Sequence, residues 1–395
     1  MEKSTSKERI YLDYNATSPL SSSVTNWLRK GDFVFANPSS IHSSGKRAKR
    51  QIAETTEYLH ELFGTVNSHE LFYHSGASEG INTFIKGFAI HFFKMQKKAH
   101  FFYASSDHSC VVRCSEDFSA YGHQTHCFAV DSNGEFDRTE LMAKMQALGD
   151  DAILFNYTLV NNESGVVWPL SWAREIKEKT NCFVHVDGVQ GIGKIDRWWE
   201  LDPTLDAYTF SGHKFGALKG IGWSFVTAQM PFYALVRGGG QQHDRRSGTE
   251  NVPAIISLRL ALSDLRKNFN YSTLKSAKEY FLLKLKRLLG EQGIIIGENA
   301  EYTNANTVYF VLKTVKADIV TTAFDLAGIE ISSGSACSSG ATLPSRVLLA
   351  MGFDSDRAKS GLRFSFSSYF TESEVDEIFP RVQTILARFF EDVKV

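Results

Sequence analysis

The 395-residue chain has little cysteine, little net charge and no long apolar run. Its five cysteines, Cys110, Cys114, Cys127, Cys182 and Cys337, are too few and too scattered for a disulfide framework. A sparse, odd set points to a reducing compartment. Cys110 and Cys114 share the spacing of one helix face, but no second pair stands at metal-site spacing. They read as packing thiols, and no metal is expected. A net charge of −1 gives no bulk attraction to nucleic acid or to a membrane surface. The longest apolar runs, such as Phe88–Phe93, are far too short to span a bilayer. Met1–Arg9 is charged and polar, without the apolar core of a secretory signal. No internal repeat or low-complexity linker interrupts the chain. These absences predict a cytoplasmic protein with no membrane or direct nucleic-acid partner.

The content that is present is ordinary for a globular protein, 43% hydrophobic and 22% charged, and the length predicts two domains. Short apolar runs predict strands at Leu71–His74, Phe101–Ala104, His126–Val130, Ala152–Tyr157, Phe183–Val186, Ala207–Phe210 and Gly222–Val226. Helical patterns precede or separate them at Ser43–Phe63, Ser78–Lys97, Asp137–Leu148 and Ser171–Lys179. Strands alternating with helices predict an α/β fold with a mostly parallel sheet covered on both faces. After Pro253 the texture changes. Amphipathic helices at Ile255–Leu265 and Leu274–Leu289 lead into shorter strands (Ile294–Ile296, Val308–Leu312, Leu362–Phe366) and helices (Ile319–Leu326, Ser373–Phe389). A smaller α+β domain is expected there.

Several stretches carry chemistry. Ser332–Gly340 sets Cys337 among residues no larger than itself, which favours a loop and a partly exposed, reactive thiol. Taken alone, the same stretch also fits a loop cysteine without a task. Lys214 closes Ser211-Gly212-His213-Lys214 directly after a strand, where partial desolvation would make its amine nucleophilic. Most single lysines are simply exposed. Asp187 ends another strand, where ligands of open α/β sheets bind and where a carboxylate can face a protonated ring nitrogen. A helix-capping role is the plainer reading. Ser75–Gly80 joins a strand to a helix and offers backbone amides to a phosphate, or a plain turn and cap. Arg237–Gln241 and Arg245–Asn251 bracket a cationic loop suited to phosphate or carboxylate, or merely solvated. Arg363 lies inside an apolar strand and needs a carboxylate, either a substrate's or an internal Asp or Glu. His108, just after a strand, suits stacking on a planar group or proton transfer, or is structural.

The order of these pieces resembles the NifS/IscS-like cysteine desulfurases, within the aminotransferase-like fold type I pyridoxal-phosphate enzymes. The resemblance runs from Tyr11–Thr17 to about Phe370. It rests on Asn37–His42, Ser75–Glu79, Asn161–Gly165, His185–Gln190, Ser211–Lys214, Arg246–Asn251 and Ser332–Ser339. It implies a pyridoxal-phosphate-binding α/β domain over residues 15–260. The smaller α+β domain would comprise 1–14 and 261–395 and carry the Cys337 loop.

The resemblance also implies roles. Lys214 would hold pyridoxal 5'-phosphate and shuttle the substrate's α-proton. Asp187 would pair with the ring nitrogen, and Gln190 and Asn162 would bond the ring-hydroxyl side. His108 would stack on the ring and serve as acid or base. Ala77, Ser78, Ser211 and His213 would hold the phosphate, with Thr249 reaching the phosphate of the partner in a homodimer. Arg363, helped by Asn37, would bind the substrate carboxylate. Cys337 would attack the sulfur of L-cysteine, keep it as a persulfide and release L-alanine. The sulfur would pass to an acceptor protein, for iron–sulfur clusters or thiolated products. A selenocysteine lyase or related lyase, and less readily a non-catalytic sulfur-relay or scaffold protein, are the alternatives. The chain departs from the family pattern at His74 and Ser78, where threonine is usual, and at Gln242-His243-Asp244. The scaffold-binding C-terminal tail of some relatives is not evident.

Overall fold

The central strands in the first two-thirds of the chain are buried on both faces, as a sheet covered by helices on each side requires. The computed structural model describes residues 9–31, 33–334 and 343–390. After a two-residue strand β1 (Ile10–Tyr11) come β2 (Glu70–His74), β3 (Ala99–Ala104), β4 (Gln124–Phe128), β5 (Ala152–Thr158), β6 (Phe183–Asp187), β7 (Ala207–Ser211) and β8 (Gly222–Val226). Among the described residues β2 to β8 form one seven-stranded sheet, in the order β2-β8-β7-β6-β5-β3-β4. The run from β4 to β7 is parallel, and β8 lies antiparallel between β7 and β2.

The covering helices are α1 (Ser22–Lys30), α2 (Ser43–Phe63), α3 (Ala77–Lys94), α4 (Ser109–Ala120), α5 (Arg138–Gln146), α6 (Leu170–Thr180) and α7 (Val252–Asn268). α2 buries Ala48, Thr55, Leu59 and Phe63, one stripe at helical spacing. It stops at Gly64, whose φ of 66° is the left-handed conformation that ends many helices. On one side of the sheet Phe63, Phe210 and Trp223 stack at the heart of the largest core.

The remaining elements are α8 (Tyr271–Leu289), β9 (Gly293–Ile295), β10 (Thr307–Leu312), α9 (Ala317–Leu326), β11 (Ile329–Glu330), β12 (Ser332–Ser333), α10 (Arg346–Ala350), α11 (Ser355–Ala358), β13 (Gly361–Ser365) and α12 (Glu372–Leu386). Strands β12-β13-β10-β9 form an antiparallel sheet, and β1 pairs in parallel with β11. A separate apolar core collects Phe281 from α8, Phe310 and Phe364 from the sheet, and Val375 and Phe379 from α12. Leu12 joins that core, so the start of the chain is anchored there before Asp13 to Thr17 cross to the carboxyl edge of the large sheet. No described helix is long and apolar enough to cross a membrane.

Candidate active site

The carboxyl ends of β5, β6 and β7 open into a cavity of about 930 Å³. Lys214 closes a single 3-10 turn directly after β7. Its Nζ donates to the carbonyls of Asn15 at 2.7 Å and Ala16 at 2.9 Å. Burial, seconded by the Arg363 charge, brings the amine down to about 8, against the pull of Asp13 and Asp187. Part of it is therefore an uncharged nucleophile near neutral pH. Asp187 ends β6, buried, with Oδ1 accepting from the amide of Val189 at 3.1 Å. Burial raises it to about 6. His213 is held neutral, at about 4, by burial and by the charges of Lys214, Lys219 and Lys194. Its Nδ1 lies 3.1 Å from the Thr17 hydroxyl.

Opposite the lysine, α3 begins at Ala77 with no side-chain cap, so its first amides face the cavity beside Ser75, Ser78, Ser211 and His213. His108 caps α4, and its Nδ1 accepts from the Cys110 amide at 3.2 Å. The protein walls, with Lys214 and Arg346, hold its pKa below the usual histidine value. Gln190 and Asn162 line the cavity as expected, but Gln190 is largely committed. Its Oε1 accepts from Lys194 and its Nε2 donates to the Asn15 carbonyl at 3.0 Å. Arg363 is buried and bonded at 2.7 Å to Asp13 and at 2.8 Å to the Asn162 carbonyl. The internal carboxylate thus takes one end of the guanidinium, while the buried Nε has no partner among the described residues.

Three expected site residues are not among the described lining of the cavity. Asn37 is exposed and outside the cavity, its Oδ1 accepting from the Ser39 amide at 2.9 Å. Thr249 is exposed and does not line the cavity of its own chain. Cys337 lies outside the described residues, yet both flanks of its segment, Ser332–Gly334 and Leu343–Ser345, line the cavity. The cationic loop is also less available than the sequence suggested. Arg245 pairs with Glu70 and Arg246 with Glu79. Of the two thiols read as packing, only Cys114 is buried in the core. Cys110 lines the cavity with Sγ 3.1 Å from His108 Nδ1.

Sequence reasoning missed Asn15, Asp107, Glu163 and Lys194. Asn15 takes the Lys214 and Gln190 bonds on its carbonyl, and its Oδ1 accepts from Lys194 at 3.1 Å. Glu163, raised by burial, accepts from Ser345 and from the Tyr309 hydroxyl at 3.1 Å. Position in the Tyr11–Thr17 motif was a signal for Asn15, and adjacency to His108 for Asp107. Nothing in the sequence marked Lys194 as buried.

A primary amine of lowered pKa, a buried carboxylate with one oxygen outside any described hydrogen bond, and an uncapped helix N-terminus rimmed by serines share this cavity. That donor set matches an aldehyde, a basic ring nitrogen and a phosphate, so the residues fit pyridoxal phosphate. The chain belongs to the class-V aminotransferase family, whose model matches residues 10–378. Within it, the chain is 32% identical to the putative cysteine desulfurase IscS 1 of Bacillus subtilis, over 96% of this chain and 99% of that protein. A solved NifS-like protein superposes with a TM-score of 0.83 at 28% identity, covering 96% of this chain and all of the other (100%). SspA, solved in complex with cysteine, gives 0.75 at 25% identity over 91% of this chain and 99% of its own.

Proposed function

We propose that the chain is a pyridoxal-phosphate-dependent cysteine desulfurase. The observation that carries this reading is one cavity faced by Lys214 and Asp187 and rimmed by both flanks of the Cys337 segment. Bound pyridoxal phosphate supplies an electron sink conjugated to the substrate's α-carbon. The first amides of α3, Ser78, Ser211 and His213 would hold its phosphate. Asp187 would accept the ring N–H, His108 would cover the ring, and Asn162 and Gln190 would bond the ring-hydroxyl side. Arg363, which lines the cavity, would bind the carboxylate of L-cysteine. The Lys214 amine would hold the cofactor and would take and return the substrate's α-proton.

Cys337 then attacks as a thiolate. A sulfur–sulfur bond forms and the substrate's Cβ–S bond breaks. The electron pair goes to Cβ, which gains a proton. Cys337 ends as a persulfide and the substrate as L-alanine, so no external oxidant or reductant is required. An acceptor protein with its own thiol would take the sulfur.

A homodimer is part of the proposal. Phe35 and Ile41, between α1 and α2, are 86% and 90% exposed, and Thr249 is free of its own cavity to serve a partner's phosphate. The described cysteines are unpaired, which supports a reducing, cytoplasmic setting.

The test is direct. The purified chain is expected to show a visible cofactor band, and to yield alanine and sulfide in equal amounts from L-cysteine with a thiol reductant. Cys337→Ala is expected to keep the band and lose sulfide formation. Wild-type sulfide output from that variant overturns the persulfide route. A chain unable to take up pyridoxal phosphate overturns the whole reading.

A further inference from the structure

Beneath the cavity a line of buried polar side chains crosses the large sheet from its edge strand to β5 and ends just beyond β3. His74 Nε2 on β2 lies 3.0 Å from Ser224 Oγ on β8, and that oxygen lies 2.9 Å from Thr209 Oγ1 on β7. Thr209 Oγ1 lies 2.8 Å from His185 Nε2 on β6. His185 Nδ1 lies 2.9 Å from Asn156 Oδ1 on β5, and Asn156 Nδ2 donates at 3.0 Å to Asp107 Oδ2. The line follows the strand order of the sheet. Every member is 2% exposed or less, so each depends on its neighbours in the line.

Asp107 sets the direction. Its carboxylate also accepts from the Ala104 amide at 3.0 Å and from Thr158 Oγ1 at 2.6 Å. Three neutral donors converge on it, as they do on an ionised carboxylate. With Asn156 donating to Asp107, Asn156 Oδ1 must accept, so His185 carries its proton on Nδ1. His185 Nε2 then accepts from Thr209, Thr209 from Ser224, and Ser224 from a His74 protonated on Nε2. Burial keeps both imidazoles uncharged, at about 3 for His185 and about 4 for His74, so each ring has one donor and one acceptor.

The reverse direction needs a protonated Asp107 that donates to Asn156. It would also leave an N–H on His74 Nδ1, a buried atom without a hydrogen-bond partner among the described residues. An orphaned buried N–H is costlier than an orphaned lone pair. Burial does raise Asp107 to about 7, against the three donated bonds. The geometry of the line favours the carboxylate.

Thr158 links this charge to the site. It donates to Asp107 and stands directly opposite Asp187 in the pairing of β5 with β6. We infer that Asp107 is a positioning residue: the fixed end of a one-way hydrogen-bonded line, it places a second negative charge behind Asp187 and so strengthens the hold of Asp187 on a cationic ring nitrogen. The inference rests on the proposed pyridoxal-phosphate site for its consequence, though not for the line itself.

Two measurements test it. Nitrogen-15 NMR of the cofactor-free chain at pH 8, with histidine-selective labelling and His→Gln variants for assignment, reads the line alone. Expected are His185 protonated on Nδ1 and His74 on Nε2, with the His185 preference kept in Thr209→Val, because the Nδ1–H bond to Asn156 does not involve Thr209. The opposite tautomers, or a His185 that switches in Thr209→Val, overturn the one-way line whatever the chain's activity.

The second measurement uses Asp107→Asn, which can keep the hydrogen bonds and removes the charge. Its dissociation constant for pyridoxal phosphate is expected to rise about tenfold, the effect of one nearby charge. The constant for 1-deazapyridoxal phosphate, which lacks the ring nitrogen, is expected to stay within about twofold. Equal weakening of both ligands makes Asp107 merely structural and overturns the positioning role, as does no weakening of either. A wild-type chain that binds neither ligand refutes the positioning role and the proposed function together. In that case the tautomers still decide whether the line exists.

Discussion

Ser332 lies directly opposite Arg363 in the antiparallel pairing of β12 with β13. The segment that carries Cys337 therefore leaves the sheet beside the arginine proposed to hold the substrate carboxylate. On its other side Arg363 pairs with Tyr309 of β10. The arginine proposed for carboxylate binding and the start of the segment proposed for sulfur capture thus stand on neighbouring strands of one small sheet.

Arg363→Lys is expected to raise the KM for L-cysteine by about tenfold or more with a smaller change in kcat, because lysine keeps the charge and loses the planar fork. Steady-state alanine formation across cysteine concentrations checks this. An unchanged KM removes Arg363 from substrate binding.

Lys214 titrates at about 8, where an unperturbed lysine titrates near 10.5. Only the uncharged amine attacks an aldehyde. Uptake of pyridoxal phosphate by the cofactor-free chain should therefore speed up as pH rises through about 8 and level off above it. Stopped-flow absorbance measures the rate. A profile still rising toward pH 10.5 contradicts the desolvated environment, and Lys214→Arg should abolish the covalent band.

Gly334 has no room for a side chain. A Cβ there would lie 1.8 Å from the Tyr309 hydroxyl and 2.7 Å from Glu163 Oε2. Gly334→Ala must therefore displace the start of the Cys337 segment. Sulfide formation is expected to fall about tenfold or more, while cofactor affinity stays near wild type. Adding Tyr309→Phe, which removes the atom struck first, should restore part of the rate. No rescue would place the damage elsewhere.

Lys278 on α8 is buried, with Nζ donating to the Asn304 carbonyl at 2.6 Å and to Thr303 at 3.1 Å. Burial lowers it to about 8. Between about pH 8 and 10.5 the unfolded chain holds a proton there that the folded chain does not, so this residue makes stability rise with pH in that window. Lys278→Met should remove about 1–3 kcal/mol of that pH dependence, read as the wild-type minus variant difference in urea unfolding. A constant difference from pH 8 to 10 contradicts the shift.

The large sheet was legible because its central strands are apolar runs ended by the small or polar residues that form the site. Predicted and observed limits agree within two residues for every strand from β2 to β8. Helix α4 was visible only as the spacing of Cys110 and Cys114. Its first turn, Ser109–Val112, follows a capping histidine whose use as a cap was not anticipated. Lys214 and Asp187 could be found because Asp187 ends a strand and Lys214 closes the turn directly after one. Lys194 could not, since burying a lysine without a carboxylate depends on acceptors from Asn15 and Gln190 that only the folded chain brings together. His74 shows the same limit. It was noted as a departure in a phosphate-binding motif, yet its ring turns away into the sheet toward Ser224.

The bonds of Asn15 carry a consequence for how the protein is made. Its amide nitrogen donates to the hydroxyl of Ser365, 350 positions along the chain, while its carbonyl receives the Lys214 amine. During synthesis Lys214 emerges long before Ser365. Until the last strand of the small sheet docks, the residue that seats the amine lacks that distant support. The lysine proposed to hold the cofactor is thus completed late, and a half-made chain presents there an ordinary, protonated side chain in place of a nucleophile.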